Sequence, residues 1–423
     1  MRHTIWLLLG ALVVGCQSQS ASPPLASGSG GSGHDGVPAE VATLIEKGEA
    51  EQAIAKLGEL IGQQPREAML YSVRATVRHR LGRHDEAIAD LSRAIELNGK
   101  DARFFNNRGF VRLGMQQFAE ALQDLNRATE LNPEYPNAFN NRGLLFIAQS
   151  RYSEAIEQLD QALKFDPDYV DAYNNRGFAA MQTGQLETAL ADFNTAMKIN
   201  PKYVSAFNNR GLLRARAGDL ENAVLDFTEA MMLDPFNPKY YQHRREVYLK
   251  LSAFDKAGAD ELKFAWLDQL ARLNDQIHKH PTDSEALVQR ARHHLKHEDD
   301  DKAIRDLDKA LAVNARSASA LIVRAGIRVR WKEYAQALSD AEAALAIEPS
   351  QAAFSARGDA CLGLREYDRA IESFAQARRF DPAVAEAYFR KSQVLQTSGQ
   401  SEQAAETLKH ALALDPDIQD RLR

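Results

Sequence analysis

A 34-residue period runs through most of the chain and constrains its fold more than any other feature. Alanine recurs at this spacing at Ala53, Ala87, Ala121, Ala155, Ala189, Ala223 and Ala257, and further alanines follow at Ala303, Ala337, Ala370 and Ala404. The phrase Asn-Asn-Arg-Gly repeats in step with them at 106–109, 140–143, 174–177 and 208–211. A fixed period of this length indicates one small structural unit that is stacked many times.

Each period carries the same internal pattern of residue types. In the third copy Phe105 stands sixteen residues before Ala121, and Gly109 follows that aromatic residue by four. A glycine such as Gly184 marks a turn inside several copies, and a proline such as Pro133 closes most of them. Because proline lacks the N–H that a helix interior needs, it ends the second of two helices. The pattern therefore predicts two helices and a tight turn in every period.

This combination of aromatic, small residue, turn, alanine and proline resembles the tetratricopeptide repeat. The resemblance covers residues 38–416 and implies an all-α, right-handed superhelical solenoid of about eleven helix–turn–helix repeats. Arg244 and Arg290 are 46 residues apart, twelve more than one period, which predicts an overlong or an added helix between them. We expect an N-terminal array at 38–254, an extended or inserted helical junction at 255–283, a C-terminal array at 284–416 and a tail at 417–423.

The amino-terminal residues differ in composition from the repeats. Arg2 precedes an uncharged run over residues 5–14, which is too short to span a bilayer. The run leads into Cys16 through the letters VVGC at residues 13–16, which are similar to the lipobox of bacterial lipoproteins. That similarity implies a signal peptide at 1–15 and a lipid on Cys16; a signal peptide or short anchor with an incidental cysteine is the alternative. Residues 16–37, rich in Ser, Gly and Pro, are then a lipidated flexible linker.

Opposite charges recur sixteen residues apart, at positions that face each other across a helix pair. The predicted pairs are Arg74–Asp90, Arg108–Asp124, Arg176–Asp192 and Arg210–Asp226, with the same spacing at Arg244–Asp260, Arg290–Asp306 and Arg324–Asp340. The first repeat has the charges swapped, at Glu40 and Lys56, whereas Arg142 faces Gln158 and breaks the pattern. Because a buried charge needs a partner, we interpret these residues as structural ion pairs that fix helix register, in preference to a ligand site.

The paired asparagines of the repeated phrase carry the main binding hypothesis, since asparagine gains little inside a helix. They resemble the asparagine ladder of O-linked N-acetylglucosamine transferase, whose amides line a groove and hold a peptide main chain. The resemblance implies an extended peptide as partner, because a side-chain amide both donates and accepts hydrogen bonds. The predicted groove consists of Asn106, Asn107, Asn140, Asn141, Asn174, Asn175, Asn208 and Asn209, with apolar pockets from Phe110, Leu144, Phe178 and Leu212. In the alternative, the amides bond to adjacent helices and the apolar residues are core.

Several classes of function find no support in the sequence. A net charge of −6 gives no general attraction to nucleic acid. The sequence contains no Gly-rich phosphate loop, nucleophile elbow or paired-cysteine metal motif. His293 and His297 have helical spacing for a metal pair, but a third ligand is not placed beside them. We therefore expect a protein that is not an enzyme and has no cofactor, metal or evident small-molecule substrate.

Taken with the lipobox, the repeats predict a membrane-anchored scaffold or adaptor in the bacterial cell envelope. Its partners are expected to be proteins or extended peptides, and the periplasmic face of the outer membrane is the expected location where two membranes are present. Two other roles stay open: an assembly factor for pili or outer-membrane proteins, and a regulator that presents hydrolases to the cell wall.

Overall fold

A computed structural model describes residues 38–422 of the chain. The predicted signal peptide at 1–15, the lipid site at Cys16 and the linker at 16–37 lie outside the described residues, as does Arg423 at the end of the predicted tail. Over 38–422 the chain forms 23 α-helices and no strand. The expected all-α class is confirmed.

Helices α1 to α22 form eleven helix–turn–helix pairs, which we number as repeats 1 to 11. In repeats 1–6 and 8–11 the first helix packs against the second helix of the same repeat. Within each compact unit, second helices also pack against the first helix of the next repeat. Each helix pair therefore buries its apolar residues against its neighbours, as a stacked array requires.

The chain divides into two compact units, an N-terminal unit that ends at Leu262 and a C-terminal unit that begins at Lys263. The N-terminal unit contains α1 (Ala39–Glu46), α2 (Ala50–Gln63), α3 (Ala68–Arg80), α4 (His84–Leu97), α5 (Ala102–Gly114), α6 (Phe118–Leu131), α7 (Pro136–Ala148), α8 (Tyr152–Phe165), α9 (Val170–Gln182), α10 (Leu186–Ile199), α11 (Val204–Ala217), α12 (Leu220–Leu233) and α13 (Pro238–Lys250). The boundary falls inside α14 (Phe254–Lys279). The C-terminal unit contains α15 (Ser284–Leu295), α16 (Asp300–Val313), α17 (Ala318–Arg330), α18 (Tyr334–Ile347), α19 (Gln351–Gly363), α20 (Tyr367–Gln376), α21 (Pro382–Thr397), α22 (Ser401–Leu414) and α23 (Ile418–Arg421).

The turn inside each repeat uses one residue with a left-handed backbone. Gly82, Gly184 and Gly218 occupy this position with φ of 75°, 82° and 87°. Gln116 and Ser150 hold the same position in repeats 3 and 4 with φ of 61° and 59°. Because side chains other than glycine rarely adopt this conformation, the sequence revealed the turn only where glycine marks it.

The core of each repeat depends on small residues at the helix contacts. Ala121 and Leu125 of α6 are fully buried, and α5 crosses them at Gly109. A Cβ added to Gly109 would lie 2.8 Å from Leu125 Cγ, so the two helices approach too closely for a larger residue. The recurring alanines and glycines therefore set the distance between paired helices.

Helix α14 is a single 26-residue helix, and it covers most of the predicted 255–283 junction. Of the two alternatives for that segment, the structure shows an overlong second helix. Among the helices of residues 38–422, none combines the length and the apolar character that a membrane span requires.

Candidate functional site

Seven arginines on first helices pair with aspartates on the second helices of their own repeats. In repeat 3 Arg108 donates through Nε to Asp124 Oδ2 at 2.9 Å and through Nη2 to Oδ1 at 2.8 Å, and Asp124 is buried. We name this arrangement the Arg–Asp clamp, and its other examples are Arg74–Asp90, Arg176–Asp192, Arg210–Asp226, Arg244–Asp260, Arg290–Asp306 and Arg324–Asp340. Each clamp ties two helices by a bidentate, charge-assisted contact.

The same arginines also reach back to the preceding repeat. Arg108 Nη1 donates to Ser92 Oγ at 3.0 Å, and Arg176 Nη1 donates to Asp160 Oδ1 at 2.7 Å. The hydrogen bonds that Arg176 donates to Asp192 and Asp160 raise its pKa above the ordinary value, so this guanidinium stays charged. Six of the seven clamp arginines, all except Arg74, thus bond both to the residue sixteen positions after them and to the residue sixteen positions before them, which joins successive repeats.

A second arginine completes several clamps, and the sequence interpretation missed it. Arg112 Nη1 donates to Asp124 Oδ2 at 2.7 Å, one helical turn after Arg108. Arg78, Arg214 and Arg328 occupy the same place in repeats 2, 6 and 9. The signal was present in the sequence as an Arg-x-x-x-Arg spacing, which places both side chains on one helix face.

Repeat 4 lacks a clamp because Gln158 stands where the aspartate is expected. Arg142 donates through Nη1 to Thr129 Oγ1 at 3.3 Å, and its buried Nε has no hydrogen-bond partner among residues 38–422. Burial lowers the pKa of Arg142 below its ordinary value. The first repeat keeps the swapped pair, with Lys56 Nζ 3.1 Å from Glu40 Oε2.

The asparagines form a hydrogen-bonded ladder between successive first helices. Asn141 donates through Nδ2 to Asn106 Oδ1 at 2.8 Å. The same contact, between residues 35 apart, recurs from Asn175 to Asn140 at 3.0 Å and from Asn209 to Asn174 at 2.9 Å. These amides therefore bond to adjacent helices, which was the alternative to direct peptide binding. We call this set of contacts the asparagine ladder.

A histidine extends the asparagine ladder into repeat 7. His243 Nδ1 lies 2.8 Å from Asn208 Oδ1, so the ring nitrogen donates to the amide oxygen. Burial lowers the pKa of His243 to about 4, and the neutral ring supplies this donor. The ladder thus connects the first helices α5, α7, α9, α11 and α13. His243 stands 34 residues after Asn209, and this register is the signal that could have identified it.

Only part of the predicted groove is accessible to a partner. Asn106, Asn140, Asn141, Asn174 and Asn175 are buried, and Phe178 is buried as well. Asn107, Asn208 and Asn209 keep part of their surface, as do Phe110, Leu144 and Leu212. Because the buried amides and Phe178 are covered by neighbouring helices, they are not available to a partner in this conformation. The six accessible residues lie on α5, α7 and α11, and we call them the first-helix face.

His293 and His297 contact an aromatic side chain instead of converging on a common point. His293 Nε2 donates to the main-chain oxygen of Trp266 at 2.9 Å, and the rings of both histidines lie against the Trp266 ring. Over residues 38–422 no cluster of three or more metal-ligating side chains is present.

Models of known protein families match the repeats. A model described as TPR repeat matches residues 75–116, 114–150 and 143–184, and models described as tetratricopeptide repeat match residues 170–203 and 362–422. No curated protein matches the chain.

Several solved structures are similar to parts of the chain. YrrB, described as a TPR protein with an unusual peptide-binding site, is 21% identical over 42% of this chain and 92% of its own, with a TM-score of 0.33. PilW, a type IV pilus biogenesis factor, is 19% identical over 46% and 91%, with a TM-score of 0.44. A thermophilic TPR protein of Thermus thermophilus is 18% identical over 43% and 99%, with a TM-score of 0.40.

The repeat matches fall on the helix pairs that the structure shows. Residues 75–203 run from the middle of α3 in repeat 2 to the end of repeat 5, and residues 362–422 run from the end of α19 through α20, repeat 11 and α23. Repeats 6 to 9 share the buried alanines and the clamps, and repeat 1 has the buried Ala53 and the swapped pair of Glu40 and Lys56. The chain is a tetratricopeptide repeat protein.

Proposed function

We propose that this protein is a membrane-anchored scaffold that binds a protein or extended peptide on the first-helix face of repeats 3 to 6. Arrays of this repeat are protein-interaction scaffolds, and their stacked helices present long continuous surfaces. Beyond this general role of the repeat, we propose which face of this protein binds, what chemical type of partner it binds and how the protein is anchored.

The accessible residues of the first-helix face carry the proposal. Phe110, Leu144 and Leu212 remain partly exposed between amides that the asparagine ladder holds in place. A rigid row of apolar side chains beside amide groups suits a peptide, because side chains enter apolar pockets while the amides of Asn107, Asn208 and Asn209 meet its main chain. Helices held in register also lower the cost of ordering the face on binding.

The binding face is tested by placing charge on it. In the double variant Leu144→Lys and Leu212→Lys, two lysines interrupt the apolar row on α7 and α11. We expect the partners recovered from envelope extracts by affinity purification to fall by about tenfold or more, since apolar anchors dominate such interfaces.

A matched control carries the same added charge on second helices. Gln123→Lys and Gln161→Lys lie at exposed positions of α6 and α8, and this variant should recover the wild-type partners. If both variants lose partners to the same extent, or if both recover partners like the wild type, the proposed binding face is contradicted.

The anchor is the lipid on Cys16 that the lipobox similarity implies. We expect a radiolabelled fatty acid to enter the wild-type protein, and Cys16→Ser to abolish the label and release the protein or leave it unprocessed. A Cys16→Ser protein that is labelled and fractionates with membranes like the wild type would refute the anchor while leaving the binding face untouched.

A further inference from the structure

The solvent side of α12 carries a row of large apolar residues. Leu225 is 61% exposed and Met232 is 69% exposed, and Phe236, just after the helix, is 63% exposed. Leu225 and Met232 are two helical turns apart, so they lie on one face. Exposed apolar rows of this kind usually mark interaction sites in soluble proteins.

The other repeats of the N-terminal unit carry small or polar residues at the same positions. One period before Leu225, Met232 and Phe236 stand Ala191, Lys198 and Lys202, and two periods before them stand Glu157, Lys164 and Asp168. These positions in neighbouring repeats show that the fold does not require apolar residues there. The row on α12 is therefore specific to repeat 6.

This face of α12 also carries negative charge, which distinguishes it from the second helices of the preceding repeats. Glu221 and Glu229 are exposed one turn before and one turn after Leu225, and neither forms an ion pair within the part of the chain that the structure describes. Helix α12 contains no Lys, Arg or His, whereas α4, α6, α8 and α10 each carry a basic residue. The face thus combines apolar contacts with uncompensated negative charge.

We propose that this face of α12, defined by Glu221, Leu225, Glu229, Met232 and Phe236, binds an amphipathic helix of a partner protein whose apolar stripe is flanked by Lys or Arg. An apolar row along a helix axis packs against the matching stripe of a second helix, with interhelical charge pairs at the edges. Charge complementarity selects a basic helix, because neither Glu221 nor Glu229 forms an ion pair with any of residues 38–422. This site is separate from the first-helix face.

The test uses two synthetic peptides of about 18 residues, long enough to span this face. Both carry Leu at the a and d positions of a heptad pattern, and the flanking e and g positions are Lys in one peptide and Glu in the other. We expect the Lys peptide to bind the mature protein saturably in fluorescence anisotropy, and the Glu peptide to bind at least about tenfold more weakly.

Two variants locate the binding. The triple variant Leu225→Glu, Met232→Lys and Phe236→Lys introduces residues that neighbouring repeats carry at those positions, so it should fold normally and lose about tenfold or more in Lys-peptide affinity. The double variant Glu221→Lys and Glu229→Lys should reverse the preference toward the Glu peptide.

Three outcomes would overturn the proposal. These are absence of saturable binding by the Lys peptide, equal binding of the two peptides, and unchanged binding by a triple variant with wild-type helical content. Light scattering of the protein without peptide tests a different occupant, a second copy of the chain. A dimer that the triple variant abolishes would assign this face to self-association and overturn the proposed partner.

Discussion

Arg142 shows how one missing carboxylate changes a clamp that other repeats keep intact. In repeat 3 Arg108 binds both oxygens of Asp124, whereas Gln158 gives Arg142 no such contact, and within the described part of the chain the buried Nε of Arg142 has no partner. The sixteen-residue spacing predicted both situations, because it depends only on which residues face each other across a helix pair. The spacing did not predict the contact of the second arginine or the contact to the preceding repeat, because both depend on the length and conformation of the arginine side chains.

Gln158→Asp should stabilise the protein by supplying the missing carboxylate. Because the new aspartate can accept from both Nε and Nη2 of Arg142, we expect a gain of about 1 kcal/mol in the free energy of unfolding. Urea unfolding followed by circular dichroism measures it. Gln158→Asn is the matched control, because asparagine has the size of aspartate and carries no charge. An aspartate variant no more stable than the asparagine variant would show that Arg142 does not need a charged partner.

His243 makes one end of the asparagine ladder sensitive to pH. The pKa of this ring is lowered to about 4 in the folded protein, below the ordinary histidine value of about 6.5. As pH falls from about 6.5 to about 4, the unfolded chain takes up the proton first, so stability is lost across this window. The contribution is at most about 3 kcal/mol.

His243→Asn keeps a donor for Asn208 and removes the titrating ring. We expect this variant to lose less stability than the wild type between pH 6.5 and pH 4, with similar melting temperatures near pH 7.5. Thermal melts at a series of pH values measure the difference. Identical pH profiles for the two proteins would contradict this role for His243.

At the scale of helices, small residues fix how closely a pair can approach, and the period made those residues visible. Alanine and glycine recur at fixed positions, and the structure buries most of them. The sequence therefore predicted that these helices form and that they pack in pairs. The length of α14 was not predictable, because the twelve added residues fit an overlong helix and an added helix equally well.

Two glycine-to-alanine substitutions should have opposite effects. A Cβ on Gly109 would lie 2.8 Å from Leu125 Cγ, whereas a Cβ on Gly326 of α17 would meet no atom within 4 Å. Because the Cβ on Gly326 would meet no side chain or neighbouring helix of residues 38–422, we expect Gly326→Ala to stabilise by up to about 1 kcal/mol through helix propensity and Gly109→Ala to cost about 1–3 kcal/mol. Chemical unfolding of both variants measures the difference. A neutral Gly109→Ala would show that the helix pair can separate without cost.

The asparagine ladder is also a property of helices, because each hydrogen bond joins two first helices. Replacing Asn141, Asn175 and Asn209 by Ala removes the donors and leaves three oxygens, on Asn106, Asn140 and Asn174, without them. We expect a cost of about 1–3 kcal/mol for each buried acceptor, although alanine is the better helix former.

The control for the ladder variant is Asn107→Ala. Asn107 accepts from Asn106 of its own helix, and within residues 38–422 the structure gives it no hydrogen bond to another helix. This variant leaves one amide group, Nδ2 of Asn106, without its acceptor, so urea unfolding should show a smaller loss of stability than in the triple variant. If the triple variant is as stable as the wild type, the ladder does not hold the helices together.

At the scale of the molecule, the ladder and the first-helix face belong to the N-terminal unit. The corresponding positions of the C-terminal unit carry Val288 and Gln289 in repeat 8 and Ile322 and Val323 in repeat 9. The sequence shows that the paired asparagines occur only in repeats of the N-terminal unit. It does not show whether their amides bind a partner or bind each other. That distinction depends on burial, which the repeat pattern alone does not reveal.

Site-specific photocrosslinking in cells tests the proposed binding face most directly. A photoreactive phenylalanine analogue is introduced at Leu144 or Leu212 on the first-helix face, or at Gln123 or Gln161 on second helices, and each protein is irradiated. The proposal predicts adducts with a partner from positions 144 and 212 and their absence from positions 123 and 161. Adducts from the second-helix positions, with none from Leu144 or Leu212, would contradict it.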